Sequence, residues 1–304
     1  MGARIKLAQT TEEIDGLFRL RHQVMVEEEA YMPAVPDRRL FDRFDTYPAT
    51  GNVIAVVDGQ VVGAIRVIEQ SSAGTSAESY FDFHPFLPEG ARPAALGMLA
   101  VAREFRALPR LVFALNGMAY YYAVSRGMTH IMTPANPERR EAFLRTGHKI
   151  VAPEFRDPHS GLPVLPMILA LDEMSDRFLA FVKRQRIRNW LESFHRQFHA
   201  AGETIVRRGD PGDFAFVVVD GDAVVLVHEG EADEQAFEIH PGELVGEVAI
   251  LTDRPRTATV IARTDVDLMV LPRAALLEMV RTEPDLAEGL VRLLASRVAS
   301  LLAF

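Results

Sequence analysis

Two groups of residues in this sequence have types and spacings that could do chemistry, and the sharper group lies in residues 241–260. Gly246 precedes Glu247, and Arg256 follows nine residues after that glutamate. A glycine lets main-chain N–H groups approach an anion closely, and an arginine can hold the same anion with two parallel hydrogen bonds. Because the Glu247 carboxylate would repel a phosphate, we expect it to accept a hydrogen bond from a neutral hydroxyl. The pattern predicts a site for an anion that also carries a neutral hydroxyl group.

A second anion site is indicated at residues 99–115. A predicted buried strand containing Leu99 and Val101 leads through a turn with Arg106 and Ala107 into a predicted apolar helix. The free N–H groups of a helix N-terminus attract anions. The sequence contains no metal-spaced His/Asp cluster, no Gly-x-Ser-x-Gly elbow and no Walker loop. It also contains no cysteine, which excludes a thiol nucleophile.

The predicted secondary structure that would position these residues divides the chain into three parts. Residues 1–172 alternate strand-like and helix-like segments, including a hairpin around Asp58-Gly59, and predict an α+β domain with a mainly antiparallel sheet. Residues 173–195 carry apolar residues at helical spacing and predict a helical linker. Residues 196–304 alternate short β segments with glycine turns and end in helices, which predicts a β-roll of the jelly-roll type.

Composition narrows the classes of function that the chain could have. The 304 residues carry 33 Lys+Arg against 42 Asp+Glu, a net charge of −9, so we expect no nucleic-acid partner. The first residues lack a signal peptide's apolar run, and nowhere do about 18 apolar residues follow one another. The sequence therefore predicts a cytoplasmic protein without a membrane span.

Residues 194–302 closely resemble the cyclic-nucleotide-binding domain family. The resemblance rests on the phosphate-binding cassette, here Val245, Gly246-Glu247, Val248-Ala249-Ile250-Leu251, Pro255-Arg256, Thr257, Ala258 and Thr259. It implies that Arg256 holds the cyclic phosphate, that Glu247 takes the ribose 2′-OH, and that Gly246 and Ala258 donate main-chain N–H groups. Val248 and Thr257 would complete the site. The ligand would be cAMP or cGMP, and Arg292, Ser296, Arg297 and Ser300 are alternatives for the contact with the purine.

The N-terminal half resembles the GNAT acyltransferases, with Arg106 in the Arg/Gln position of their pyrophosphate loop. Residues 5–171 are more closely similar to the acyl-homoserine-lactone synthase and N-acyl amino acid synthase branch of that superfamily. The residues that carry this resemblance are Arg21, Asp42 and Asp45 in an Asp-x-x-Asp pattern, and Arg66. The resemblance implies a catalytic role for these four residues, a GNAT-like sandwich fold, and an acyl-CoA or acyl-ACP donor held by Leu99, Val101, Arg106 and Ala107.

One departure from this branch bears on catalysis. Where the branch has Glu-x-Ser-Arg, this chain has Ala95-Leu96-Gly97-Met98, so the expected acidic residue and arginine are missing. Glu104, Asp45 and Tyr120–Tyr122 are candidates for proton transfer, and main-chain N–H groups of residues 98–100 are candidates for stabilising an oxyanion.

Three functions follow as hypotheses. The first is a cyclic-nucleotide-regulated N-acyltransferase in which an amine attacks the thioester directly. The second is a catalytically dead acyltransferase fold that acts as a nucleotide-responsive sensor and binds a lipid or a protein. The third is an enzyme with a purely structural barrel. A homodimer is left open.

Overall fold

The computed structural model describes residues 4–107, 109–158, 160–174, 195–227, 235–282 and 284–302. The chain divides into two compact units, Met1–Leu179 and Ala180–Phe304. The helical linker predicted over residues 173–195 lies almost wholly outside the described residues.

A single twisted sheet forms the centre of the N-terminal unit. Its strands are β1 Arg4–Leu7, β2 Thr50–Val57, β3 Gln60–Glu69, β4 Pro93–Val101, β5 His130–Ala135, β6 Lys149–Ile150, β7 Phe155–Arg156 and β8 Pro163–Ala170. They follow the order β1-β2-β3-β4-β5-β8-β6, and β7 also pairs with β8. The β4–β5 pair is parallel and the other described pairs are antiparallel, which confirms the α+β class with a mainly antiparallel sheet.

Caps mark some of the helix ends of this unit. They are α1 Thr11–His22, which continues as a π-helix over Gln23–Glu28, α2 Pro109–Ser125 and α3 Arg140–Arg145. Thr10 and Glu13 form a reciprocal capping box at the start of α1. Gly127, with φ 79°, follows the end of α2 in the left-handed conformation that glycine adopts without strain.

The two faces of the sheet are covered by different elements. Helix α2 packs on the face that carries Gly51, where an added Cβ would lie 2.4 Å from a Tyr122 ring carbon. Successive strand residues point to opposite faces. The adjacent row of paired residues, Asn52, Arg66 and Gly97 on β2, β3 and β4, therefore lies on the other face.

Two antiparallel sheets form the C-terminal unit. Its strands are β9 His195–His199, β10 Thr204–Val206, β11 Phe214–Asp220, β12 Ala223–Val227, β13 Gln235–Ile239, β14 Leu244–Val245, β15 Thr259–Ala262 and β16 Val266–Pro272. They pair in the orders β14-β11-β16-β9 and β10-β15-β12-β13. Phe216, Val218, Val260 and Leu268 belong to the buried core of this unit, as expected of a β-roll.

Among the described residues of this unit, three helices accompany the strands: α4 Glu247–Thr252, α5 Arg273–Thr282 and α6 Pro284–Leu302. In the part of the chain that the structure describes, no helix combines the length and apolar character that a membrane crossing needs.

Candidate functional site

A buried charged cluster lies on the Arg66 face of the N-terminal sheet. Arg21, in the last turn of α1, donates to Asp45 Oδ1 (2.8 Å) and to Asn52 Oδ1 (2.6 Å). Arg66 donates from Nη1 to Asp42 Oδ1 (2.7 Å) and Asp45 Oδ2 (2.8 Å), and from Nη2 to Asp42 Oδ2 (2.9 Å). The structure thus brings together the four residues that the Arg and Asp-x-x-Asp patterns pointed to.

The two aspartates are fixed by the turn that links them. A 3-10 helix runs over Arg43–Thr46, with Asp42 as its cap: Asp42 accepts from the N–H of Phe44 (2.8 Å), and Asp45 accepts from the N–H of Asp42 (3.1 Å). Burial opposes ionisation of Asp45, but Arg21 and Arg66 outweigh it and lower its pKa. Asp45 is therefore charged, and it holds the two arginines in place. Asp42, whose side chain is 35% exposed, is the member of the cluster that solvent can reach.

A break in the sheet lies next to this cluster. Strand β4 pairs with β5 at Pro93–Ala95, and no further β4–β5 pair follows among the described residues. The register between β3 and β4 also shifts between Ala64 and Arg66, and Met98 takes a positive φ of 54°. These features form a β-bulge, which redirects main-chain groups out of the ladder.

The strand residue opposite Arg66 is Gly97, and it faces open space. A Cβ built on Gly97 would meet one neighbour within 4 Å, the hydroxyl oxygen of Ser76 at 3.9 Å. Gly97 and Met98 are half-buried and Leu99 is exposed, although β4 is a central strand. Gly97 is thus an open position of the sheet, beside the bulge of β4 and opposite Arg66 of the charged cluster, and we refer to this position as the Gly97 cleft.

In the turn predicted to hold an acyl carrier, the arginine is paired with two carboxylates. Arg106 donates from Nε to the carbonyl of Val101 (2.9 Å), and its guanidinium pairs with Glu28 and with Glu29 (3.3 Å). Val101 is buried, and Ala107 is exposed just before α2. Sequence reasoning missed this pairing, because Glu28 and Glu29 lie more than 75 residues away from Arg106 in the chain.

Glu104 stands apart from the charged cluster. It is exposed in the 3-10 turn Arg103–Phe105 that follows β4. The hydrogen bonds that tie Arg21, Asp45 and Arg66 together do not include it.

The aromatic segment around Phe83 packs as core. Phe83 is fully buried against Phe44 and Ala95, and Phe81 and Leu87 are partly buried beside it, whereas Phe86 is exposed.

A neutral hydrogen-bonded group lies around His148. Its Nδ1 is 2.8 Å from Thr146 Oγ1 and its Nε2 is 3.3 Å from Thr133 Oγ1. Burial lowers the pKa of His148 to about 4 and raises the pKa of the neighbouring Tyr120 to about 12. Tyr120 is therefore protonated at neutral pH and is a poor proton acceptor.

The N-terminal unit should lose stability as the pH falls from about 6.5 to 4. Unfolded His148 takes up a proton in that range while the folded, buried imidazole does not, and the shift corresponds to about 3 kcal/mol at its limit. Thermal melts across this range should show the loss in the wild type and a flatter profile in His148→Gln. Equal pH profiles for the two proteins would contradict this assignment.

The phosphate-binding cassette of the C-terminal unit is formed by the start of α4 and the segment after it. Gly246 takes φ 81° at the N-cap of α4, a conformation that favours glycine. Arg256 donates from Nη1 to the carbonyl of Gly246 (2.8 Å) and from Nη2 to that of Phe214 (2.5 Å). Burial lowers the pKa of Arg256, while Asp213, Asp210 and Glu247 oppose that effect. A buried arginine is thus held at the glycine turn, and its contact with a phosphate stays a prediction.

The remaining cassette residues surround this turn. Glu247 is fully buried at the first position of α4, and its Oε1 accepts a hydrogen bond from Arg297 Nη1 at 2.5 Å. Val248 and Ala258 are half-buried and Thr257 is exposed. Arg297 lies on α6, whereas Arg292 on the same helix is exposed and pairs with Glu288. Which residue of this helix contacts the purine stays a prediction.

The fold comprises an α+β domain with a buried Arg/Asp cluster beside a bulged strand, followed by a β-roll with a buried arginine at a glycine turn. Residues 16–170, just over half of the chain, match the family profile of the N-acyl amino acid synthase FeeM. Residues 196–283 match the profile of the cyclic nucleotide-binding domain. The chain therefore belongs to the N-acyl amino acid synthase FeeM family, and it carries a C-terminal cyclic nucleotide-binding domain.

Individual relatives match one half or the other. The solved structure of FeeM, an N-acyl amino acid synthase from uncultured soil microbes, covers 60% of this chain and 96% of its own, with a TM-score of 0.50 and 16% identity, and shows the fold. A cAMP-dependent protein kinase regulatory subunit of Dictyostelium discoideum is 48% identical over 63 residues, 19% of each chain. A cyclic AMP receptor protein of Thermus thermophilus is 32% identical over 109 residues, 36% of this chain. The chain spans half or less of the length of these two curated relatives.

Proposed function

We propose that this protein is a cytoplasmic N-acyltransferase that moves an acyl group from acyl-CoA or acyl-ACP to the amine of an amino acid, and that cAMP or cGMP regulates it. The observation that carries the proposal is the cleft at Gly97. It combines an interrupted strand, a bulge and a charged cluster at one place.

The cleft offers the groups that acyl transfer needs. A neutral amine attacks the thioester carbonyl, a C–N bond forms, the C–S bond breaks, and the proton that the amine loses is taken up by the leaving thiolate. The main-chain N–H groups of residues 98–100, at the bulge, are suited to stabilise the oxyanion of the tetrahedral intermediate.

The residues of the charged cluster have different roles in the proposed reaction. Asp45 holds Arg21 and Arg66 in place. Asp42, partly exposed at the edge of the cluster, is the carboxylate available to bind an ammonium group and accept its proton. Asp42 would supply the negative charge of the acidic residue that Ala95 replaces in this chain. Glu104 remains the alternative base, and Arg106, once released from Glu28 and Glu29, would contact the phosphate of the carrier.

Side chains introduced at Gly97 test whether the cleft is the reaction site. Its backbone has an ordinary φ and open space around the Cβ position, so Gly97→Ala, Gly97→Val and Gly97→Phe should fold with melting temperatures close to that of the wild type. Because the larger side chains fill the cleft, we expect kcat/KM to fall progressively, by about a hundredfold or more for phenylalanine.

The rates would be measured by mass spectrometry of acylated amino acids, with acyl-CoA and acyl-ACP as separate donors. Unchanged rates in the folded phenylalanine variant would place the reaction elsewhere.

The second candidate function is a nucleotide-responsive sensor with an inactive acyltransferase fold. Ala95 and Met98 in place of an acidic residue and an arginine favour it. The two functions differ in one observable: the sensor binds an acylated ligand or a partner but forms no acylated amino acid from either donor.

A further inference from the structure

The guanidinium of Arg106, which the proposed function assigns to the phosphate of the acyl donor, is held by groups of the chain itself. It pairs with Glu28 and with Glu29 (3.3 Å), and its Nε donates to the carbonyl of Val101, the last residue of β4. The three charged side chains are between 21% and 38% exposed, so solvent screens these pairs only in part. A donor phosphate that binds Arg106 must therefore replace carboxylates that are already there.

The two glutamates belong to a short segment, Glu28–Tyr31, which we call the acidic strap. It begins at the last residue of the π-helix that continues α1, and Ala30 within it takes a positive φ of 53°. A π-helical turn and a left-handed alanine are both unfavourable backbone conformations, and both are found preferentially at functional sites. The pairs with Arg106 thus help to hold the strap in a conformation that the chain would otherwise leave.

The acidic strap lies at the edge of the sheet where the parallel strands β4 and β5 end. At one end of the strap the glutamates contact Arg106, in the turn after β4. At the other end Tyr31 lies near the turn Pro137–Arg139, which follows β5: burial and nearby carboxylates raise the pKa of its phenol, and Arg139 opposes them. The described pairs between β4 and β5 stop well before this edge, so the strap spans the end of the gap between the two strands.

We propose that the acidic strap is an autoinhibitory contact: Glu28 and Glu29 compete with the phosphate of the acyl donor for Arg106, and the donor binds by displacing them. A phosphate can take the same forked hydrogen bonds from a guanidinium as a carboxylate does. The inference rests on the proposed acyl-CoA or acyl-ACP donor and adds what controls access to it. A thioester without a phosphate has no group to exchange for the strap at Arg106.

The experiment measures the Kd of CoA by calorimetry on the full chain. The proteins are the wild type, the strap variant Glu28→Gln/Glu29→Gln, Arg106→Ala, and the triple variant that combines all three substitutions. A melting curve for each protein confirms that it folds.

The matched control is Glu12→Gln/Glu27→Gln, which removes the same charge from the same helix and its π-helical extension. Glu12 is exposed in the first turn of α1, and Glu27 pairs with Arg38. This variant should bind CoA like the wild type, because its substitutions leave the carboxylates on Arg106 in place.

We expect the strap variant to bind CoA about fivefold more tightly than the wild type, as the loss of partly exposed ion pairs allows. Arg106→Ala should bind CoA more weakly than the wild type. Adding the two strap substitutions to Arg106→Ala should not restore the affinity, because the carboxylates then compete for no guanidinium. Simple repulsion between the strap and CoA would instead tighten binding in the triple variant by the same factor.

Kinetics give a second reading of the same contact. For acyl-CoA, the strap variant should show a KM lowered by about the same factor, with kcat close to that of the wild type. For an acyl-N-acetylcysteamine thioester, which carries no phosphate, the strap variant and the wild type should have the same KM.

Four results would overturn the inference. They are an unchanged Kd in the strap variant, equal tightening in the matched control, equal tightening in the triple variant, and no binding of CoA by the strap variant. If the Kd values follow the predicted order but neither donor yields an acylated amino acid, the acidic strap stands and the proposed transferase activity fails.

Discussion

Replacing Arg256 by alanine is expected to weaken the binding of cAMP or cGMP by about a hundredfold or more. The guanidinium is buried at the glycine turn, and removing one partner of a buried charge pair costs about 2–5 kcal/mol. Arg256→Lys keeps the charge but loses the forked geometry, and its affinity should lie between those of the wild type and the alanine variant. Calorimetry on the full chain measures all three affinities.

The control for this prediction lies two residues away. Arg254 is exposed, and its N–H bonds to the carbonyl of Ala249, a contact that a side-chain substitution leaves intact. Arg254→Ala should bind nucleotide like the wild type. Because Arg256 also bonds the carbonyls of Gly246 and Phe214, the melting curve of Arg256→Ala must show a folded C-terminal unit. Wild-type affinity in that folded variant would contradict the assignment of the phosphate site.

Replacing Asp45 by asparagine is expected to destabilise the N-terminal unit by about 3–5 kcal/mol, because it leaves Arg21 and Arg66 short of a charge partner in the interior. In a domain of this size the melting temperature should fall by roughly 10 °C. Acyl transfer should fall as well, since Asp45 would no longer hold Arg66 and the main chain of Asp42 in place. Thermal unfolding followed by circular dichroism measures the change in stability.

Asp15 provides the comparison for this prediction. Its carboxylate pairs with Arg19 and Arg39 at the surface, where solvent screens the charges. Asp15→Asn should leave the melting temperature close to that of the wild type. Equal melting temperatures for the two asparagine variants would show that the buried cluster does not support the fold as described.

The nucleotide cassette was predictable from the sequence because its residues are local. Gly246, Glu247 and Arg256 lie within eleven positions, and a turn of this kind leaves the chain few ways to arrange them. The contact with Arg297 was not predictable in the same way. It joins residues 50 positions apart, and Arg292 offered the same chemistry on the same helix. The orientation of α6 determines which of the two arginines contacts Glu247.

The N-terminal site was also only partly predictable from the sequence. The motif pointed to the arginines and aspartates that the structure brings together, but it did not show that Asp45 is buried between both arginines while Asp42 reaches solvent. The sequence pattern did not predict β1, which is only four residues long, and it did not predict that the pairing of β4 with β5 ends at Ala95. Strand pairing depends on residues far apart in the chain, so a local pattern cannot reveal where two strands separate.

The most direct test of the regulated-transferase account is the initial rate of N-acyl amino acid formation by the full chain, with and without saturating cAMP or cGMP. The account predicts that the wild type forms acylated amino acid, that one nucleotide changes the rate by about fivefold or more, as coupling energies of ordinary size allow, and that Arg256→Ala does not respond. No acylated product from acyl-CoA or acyl-ACP would contradict the account, as would a wild-type rate indifferent to both nucleotides.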